Sequence, residues 1–87
     1  MENLTKDEKR EAVITSERVK EQRMNLVNDI ISLRKNKGYN QVKLDKLSGV
    51  CQPTIYHIEN GDTNPRLDTI LKLLAALGKT LYIDDMQ

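Results

Sequence analysis

Residues 40–61 read NQVKLDKLSGVCQPTIYHIENG, and this stretch decides the fold. It predicts two short helices, over residues 41–47 and after Cys51, because apolar side chains recur at helical spacing behind Asn40, a good N-cap, and around Pro53, a good first-turn residue. Gly49 lies in the break between them, where a tight turn commonly needs a positive φ. Two short helices joined by such a turn form a helix-turn-helix. The outward face of the helix after Cys51 carries Gln52, Pro53, Tyr56 and His57.

Three further elements flank this motif. Residues 19–37 predict an amphipathic helix, since apolar side chains recur every three or four positions up to Gly38, which ends it. Residues 67–77 predict a helix that is apolar on well over one face and therefore packs in the core or against a second chain. Residues 80–83 (TLYI) predict a short β-strand, and a lone strand needs a partner, which we expect to be the same strand of a second chain.

The chain divides into three parts on this interpretation. Residues 1–20 are expected to form a charged N-terminal arm or helix, and residues 21–78 the helix-turn-helix domain. Residues 79–87 are expected to form a strand or tail that contacts a second chain through Leu81, Tyr82 and Ile83. The predicted fold class is all-α, with four to five helices and a short C-terminal β-strand.

Composition sets limits on this fold. The 87 residues include neither Trp nor Phe, so the core must be built from Leu, Ile and Val. A domain of this size buries only about 60% of the surface of its unfolded chain, so a dimer would add stability. The net charge is +1, but residues 22–66 carry seven basic and four acidic side chains, an excess of +3. Such a local excess suits contact with phosphates, although a solvated surface is the plainer explanation.

Several classes of protein are disfavoured. One His and one Cys supply neither a nucleophile with its base nor a metal cluster, so we expect no enzyme, metal or cofactor. No apolar run approaches the ~20 residues of a membrane-spanning helix, and no small-molecule site is evident. The single Cys51 cannot form a disulfide within the chain, and no signal peptide is recognisable, which favours the cytoplasm.

The run LRKNKGYNQ…L…SGV-QPTI…IENG…P…L…L…LG, over about residues 24–78, resembles the Cro/cI-type helix-turn-helix regulators, also called the XRE family. The resemblance implies a lambda-repressor-like DNA-binding domain. It depends on a combination of positions rather than on one glycine. These positions are Gln41, Leu44, Gly49, Val50, Ile55, Ile58 and the ending Glu59-Asn60-Gly61.

The resemblance also implies roles for individual side chains. Gln41 would cap the second helix and touch a phosphate, whereas the polar face of the third helix would meet bases or the DNA backbone. Asn60 and Arg66 would lie where the following loop meets that backbone. The complete set expected to contact DNA is Gln41, Gln52, Pro53, Thr54, Tyr56, His57, Asn60 and Arg66.

Two features concern helix packing. Arg34 and Glu59 occupy positions that in this family often form a partly buried ion pair between the first and third helices, and breaking such a pair leaves one charge stranded. Asp45 departs from the family pattern, which has Ala four positions after Gln41 because the helices approach closely there. Either the two helices lie slightly apart, or Asp45 bends outward and finds a cation.

Three side chains keep plainer alternatives. His57 either contacts a base or phosphate or is an ordinary surface residue. Tyr56 either stacks on a sugar or simply covers its helix. Cys51 is interpreted as a small structural residue, the other options being redox sensing or cross-linking of a dimer.

Together these features predict a homodimeric, sequence-specific regulator of transcription that binds a pseudo-palindromic operator on double-stranded DNA. Gln52, Thr54 and His57 would read base edges. The charged arm, the single domain and the ending LGKTLYIDD are similar to antitoxins that repress their own toxin–antitoxin operon, so a toxin is a possible partner. A phage-type or chromosomal repressor without a toxin is the alternative role. The alternative function is a protein-interaction module that binds a partner protein rather than DNA.

Overall fold

The computed structural model describes residues 5–85, so residues 1–4 of the expected arm and residues 86–87 of the expected tail lie outside the described part. Within that part the chain forms four α-helices, and the predicted all-α fold around a helix-turn-helix is confirmed. The helices are α1 (Lys6–Asn36), α2 (Gln41–Ser48), α3 (Gln52–Asn60) and α4 (Leu67–Ala76).

The core lies where the C-terminal half of α1 meets the three short helices. Helix α2 packs on both α3 and α4, and α1 packs on α3. The buried hydrophobic side chains are all aliphatic, as the absence of Phe and Trp requires. They are Val27, Ile30, Leu44, Val50, Ile55, Ile58, Ile70, Leu73, Leu74 and Leu77.

Helix α1 is longer than the apolar pattern indicated, because it begins at Lys6 rather than near Val19. The periodicity could not find this start, since every described residue before Arg23 is exposed and none faces the core. Thr5 caps the helix instead, its hydroxyl accepting a hydrogen bond from the Glu8 amide at 3.1 Å. A Thr followed three residues later by Glu is a local start signal that needs no core contact. The helix runs unbroken across residues 20 and 21, where the arm was expected to end.

The turn between α2 and α3 depends on Gly49, as the sequence predicted. Its φ of +77° lies in the left-handed region, and its amide donates a hydrogen bond to the Asp45 carbonyl at 2.8 Å. A residue other than glycine is strained in this conformation, because its Cβ clashes with the backbone. Val50 follows Gly49 directly and is buried in the core. The turn at Gly49 therefore sets both the end of α2 and the direction in which the chain approaches α3.

The predicted C-terminal β-strand is not seen in the described part of the chain. Residues 79–85 form neither helix nor strand, and the described residues contain no other strand with which they could pair. Alternating apolar side chains favour an extended backbone, but a strand needs hydrogen bonds from a neighbour. Leu81, Tyr82 and Ile83 are exposed instead. Of the described helices, none combines the length and the hydropathy that a membrane crossing demands.

Candidate nucleic-acid interface

The outward face of α3 is the candidate interface, because the opposite face locks the helix to the core. Ile55 and Ile58 are at most 1% exposed, whereas Tyr56 and His57, which lie between them in the sequence, face solvent. Among the other residues expected to contact DNA, Pro53, Asn60 and Arg66 are exposed, and Gln41, Gln52 and Thr54 are half-buried.

Gln52, the first residue of α3, is held at two atoms by α2. Its side-chain Nε2 donates to Gln41 Oε1 at 2.8 Å, and its backbone amide donates to Asp45 Oδ2 at 2.8 Å. The family resemblance implied that Gln41 caps α2, whereas the local sequence pattern predicted Asn40. That cap is Asn40, whose side chain accepts from the Lys43 amide. The side chain of Gln41 therefore serves α3 rather than its own helix.

A polar network extends from Gln41 into the protein. Gln41 Nε2 donates to Glu59 Oε1 at 3.2 Å, and the Glu59 carboxylate receives two hydrogen bonds from Arg34, at 2.8 Å from Nε and 2.7 Å from Nη2. Arg34 also donates from Nη1 to the Tyr39 carbonyl at 2.8 Å. The side chains of Arg34 and Glu59 are only 10% and 9% exposed, so α1, α2 and α3 are joined through one nearly buried carboxylate.

Asp45 does not meet the expectation that it bends outward to a cation. Helices α2 and α3 pack directly on each other, and the carboxylate accepts from the Gln52 backbone amide rather than from a cation. The N-cap of α3 is Cys51, whose side chain makes no capping hydrogen bond. No local capping pattern predicts this role, because Asp45 lies seven residues before its partner.

Thr54 and Cys51 form a second local contact at the start of α3, with Cys51 Sγ 3.0 Å from Thr54 Oγ1. Hydrogen bonding from Thr54 lowers the pKa of the exposed Cys51 thiol below its ordinary value, with partial desolvation and the nearby Asp45 charge acting weakly in the opposite direction. The Thr54 hydroxyl thus already has a partner within the protein.

His57 is placed by the loop after α3. Its Nδ1 lies 3.1 Å from Asp62 Oδ2, and its ring meets Tyr56 edge to face with centroids 5.4 Å apart. The side chains of His57 and Asp62 are both more than half exposed, at 56% and 53%. The sequence did not pair these two residues, although a His followed five positions later by an Asp just past a helix end could have suggested it.

The loop after α3 is fastened to α1. Gly61 ends α3 with φ +74°, and a Cβ at this position would lie 3.0 Å from Met24 Cε. Arg23 Nη1 donates to Asn64 Oδ1 at 3.3 Å. The structure therefore adds Arg23 and Met24 to the residues that position this edge of the interface.

Comparisons with known proteins fit this geometry. The family described as Helix-turn-helix matches residues 30–83. An uncharacterized HTH-type transcriptional regulator of Haemophilus influenzae is 54% identical over 61 residues, which are 70% of this chain and 62% of that protein. The chain thus spans less than two thirds of the length of this relative.

Similarity to a solved structure agrees with these matches. A chain of the structure titled "Toxin-Antitoxin module from Streptococcus pneumoniae" shares 39% identity at a TM-score of 0.67, covering 97% of this chain and 84% of that one. The resemblance to Cro/cI-type regulators is confirmed, and the family is one of DNA-binding regulators rather than an enzyme class. The family match covers more than half of the chain, and the chain therefore belongs to the Helix-turn-helix family.

Proposed function

We propose that this chain binds a pseudo-palindromic operator on double-stranded DNA in the cytoplasm, as a homodimer that represses transcription, with α3 in the major groove. The observation that carries the proposal is the polar outward face of α3, whose first residue is anchored to α2 at two atoms. A helix presented in this way is the usual reader of base edges in a helix-turn-helix.

Gln52 is the side chain best placed to read a base. Its Nε2 has two hydrogens and gives one to Gln41 Oε1, and no described residue hydrogen-bonds its Oε1. One donor and one acceptor are what the major-groove edge of adenine requires from a glutamine. Thr54 and His57 lie on the same helix and would complete the base contacts, with Pro53 and Tyr56 packing against the backbone or sugars.

Phosphate contacts would set the register of the protein on the duplex. Asn60 and Arg66 bracket the loop after α3, and both are exposed. Gln41 lies at the start of α2, where backbone amides point outward and favour an anion. Exposed Lys43 and Lys46 lie on the same short helix and would add attraction that weakens with salt.

The dimer would be formed by α4 together with Leu81, Tyr82 and Ile83. These three side chains border an apolar groove whose other walls include Leu26, Leu67 and Ile70. Leu67 and Tyr82 are 63% and 82% exposed and line this same groove, and a contiguous apolar surface of this kind marks an interaction site. A two-fold dimer would place its recognition helices one turn of DNA apart, about 34 Å.

The role of an autoregulating antitoxin is supported by the solved toxin–antitoxin structure at 39% identity. A toxin would then be the protein partner, and regulation would come from that partner rather than from a small ligand. The test is co-purification with the product of any small reading frame beside this gene. A gene without such a neighbour would favour the phage-type or chromosomal repressor.

The decisive experiment is selection of binding sites from random duplexes, followed by titration of the selected site at several salt concentrations. We expect a two-fold symmetric site whose affinity falls steeply with salt. Gln52→Ala should relax the preference at one base pair of each half-site, at a cost of about 1–3 kcal/mol. Failure to enrich any sequence would favour the protein-interaction module, and an unchanged preference would remove Gln52 from the reading set.

A further inference from the structure

Asp45 holds the recognition helix from outside it. Its Oδ2 accepts a hydrogen bond from the backbone amide of Gln52, the first residue of α3, at 2.8 Å. The first amides of a helix have no partner within the helix, and the residue before the helix usually supplies one. In α3 that residue is Cys51, whose side chain supplies none. The cap of α3 is therefore provided by α2.

Asp45 and Gln41 stand four residues apart and so share one face of α2. From this face Gln41 holds the side chain of Gln52 and Asp45 holds its main chain, both at 2.8 Å. One hydrogen bond leaves a helix end free to pivot, whereas two bonds to different atoms of one residue fix its position and its rotation. The start of α3 is thus set relative to α2 by two side chains rather than by apolar packing alone.

We propose that Asp45 is a positioning residue for sequence-specific DNA binding, which places the Gln52 side chain for its base. The inference depends on the proposed DNA-binding function. The carboxylate also adds a negative charge beside a surface that would meet phosphates, which lowers general affinity for DNA. Asp45 thus favours selectivity between sequences over attraction to any duplex.

Three variants separate position from charge. Asp45→Ala removes the acceptor and the charge, Asp45→Asn removes only the charge, and Asp45→Glu keeps the charge but moves the acceptor by one methylene. The quantity measured is the ratio of affinities for the duplex selected by the wild-type chain and for a shuffled duplex. Asp29→Ala, which removes an exposed acid from α1, is the matched control.

We expect Asp45→Ala to lower this ratio by about tenfold, the scale of one well-placed Gln–base contact. Asp45→Asn should keep the ratio within about threefold, and both variants should bind the shuffled duplex more tightly, because both have lost the charge. Asp45→Glu should lower the ratio although the net charge is unchanged. Asp29→Ala should leave the ratio as it is. A ratio for Asp45→Asn as low as that of Asp45→Ala would overturn the positioning role.

A double-mutant cycle with Gln52→Ala separates positioning from a loss of stability. The Gln52 side chain is absent in that background, but the backbone amide that Asp45 binds is still present. If Asp45 acts by placing that side chain, Asp45→Ala should change the ratio less than twofold in the Gln52→Ala chain. Full additivity of the two changes would overturn the inference.

All ratios are measured at a temperature below the thermal unfolding transition of each variant, and circular dichroism determines that transition. If Asp45→Ala does not fold, Asp45→Glu carries the comparison with Asp45→Asn. Failure of the wild-type chain to select any duplex would contradict the proposed function itself, and that outcome is distinct from selection that is insensitive to Asp45.

Discussion

At the scale of single residues, Glu59 is where the buried polar contacts converge. Its Oε1 accepts from both Arg34 Nη2 and Gln41 Nε2, and its Oε2 accepts from Arg34 Nε. Removal of one partner from such a pair strands a nearly buried charge, which costs more than the pair contributes. The orientation of Gln41, and through it that of Gln52, therefore depends on an ion pair that never touches DNA.

Cys51 allows a test at the same scale, because Thr54 lowers the pKa of its thiol. We expect alkylation by iodoacetamide to become fast at a lower pH than for an ordinary thiol, whose pKa is about 8.5. Thr54→Val removes the hydroxyl and should move the midpoint up towards that value, whereas Thr54→Ser keeps the hydroxyl and should not. Mass spectrometry of the alkylated chain across pH 6–10 measures the three midpoints.

The lowered pKa of the Cys51 thiol also makes the stability of the fold depend on pH. A thiol whose pKa is lowered in the folded state favours folding above its ordinary pKa, and this contribution disappears as the pH falls through the folded-state pKa.

Equal alkylation midpoints for the wild type and Thr54→Val would show that the Thr54 contact does not hold the thiolate.

Single residues differ in how far the sequence predicted them. Arg34 and Glu59 were expected to lie together from the family pattern, and the structure brings them within 2.7 Å. The partner of Asp45 was not predicted, because a hydrogen bond between two helices depends on side-chain positions that spacing along the chain does not determine. Asp45 looked like a misfit only because its partner is a main-chain amide, which has no residue type to recognise.

At the scale of elements, the end of α3 is built around a contact with α1. Gly61 adopts φ +74°, and an added Cβ would lie 3.0 Å from Met24 Cε and 3.4 Å from its Sδ. Gly49 adopts a similar φ with open space around it. The two glycines therefore separate the cost of backbone strain from the cost of a close approach.

We expect Gly49→Ala to destabilise the fold by about 1–2 kcal/mol, the cost of a left-handed conformation for a residue with a Cβ. Gly61→Ala should cost more, because Met24 must also move. In a Met24→Ala background the difference between the two glycine variants should largely disappear. Urea unfolding followed by circular dichroism measures the four glycine variants and their two parent chains, and equal costs at Gly49 and Gly61 in the wild-type background would contradict the close packing of α1 on the end of α3.

The elements were predictable where they bury apolar residues and obscure where they do not. Helices α2, α3 and the C-terminal half of α1 each carry an aliphatic stripe that became core, and their bounds follow the pattern closely. The first half of α1 buries nothing, so only its Thr5 cap marks its start. Residues 80–83 carry a strand-like alternation, but pairing is a property of two segments, and the described chain offers only one.

At the scale of the whole molecule, α1 sets the longest dimension. Its 31 residues span about 46 Å at the helical rise, close to the 49 Å long axis of the protein, and its first half extends beyond the core. Only part of this 87-residue chain therefore contributes side chains to the core. A second subunit would supply the buried area that this architecture lacks.

The tail and α4 are the surfaces that a second subunit would cover. Leu81 and Ile83 are 40% and 100% exposed at the edge of the groove beside Leu67. Deletion of the tail is a poor test, because the Lys79 amide donates to the Leu74 carbonyl at 2.8 Å and thus helps to end α4. Point substitutions leave that backbone contact in place.

We expect the double substitution Leu81→Asp/Ile83→Asp to convert a dimer into a monomer, since it would bury four like charges across a two-fold interface. Val13→Asp/Ile14→Asp makes the same chemical change on the exposed first half of α1 and should leave the dimer intact. Sedimentation velocity over a range of concentrations measures the mass of each chain. The monomer should still bind a single half-site but lose the added affinity of the palindrome, because the two recognition helices are no longer linked. A tail variant that sediments as a dimer with unchanged affinity for the palindrome would place the interface elsewhere on the molecule.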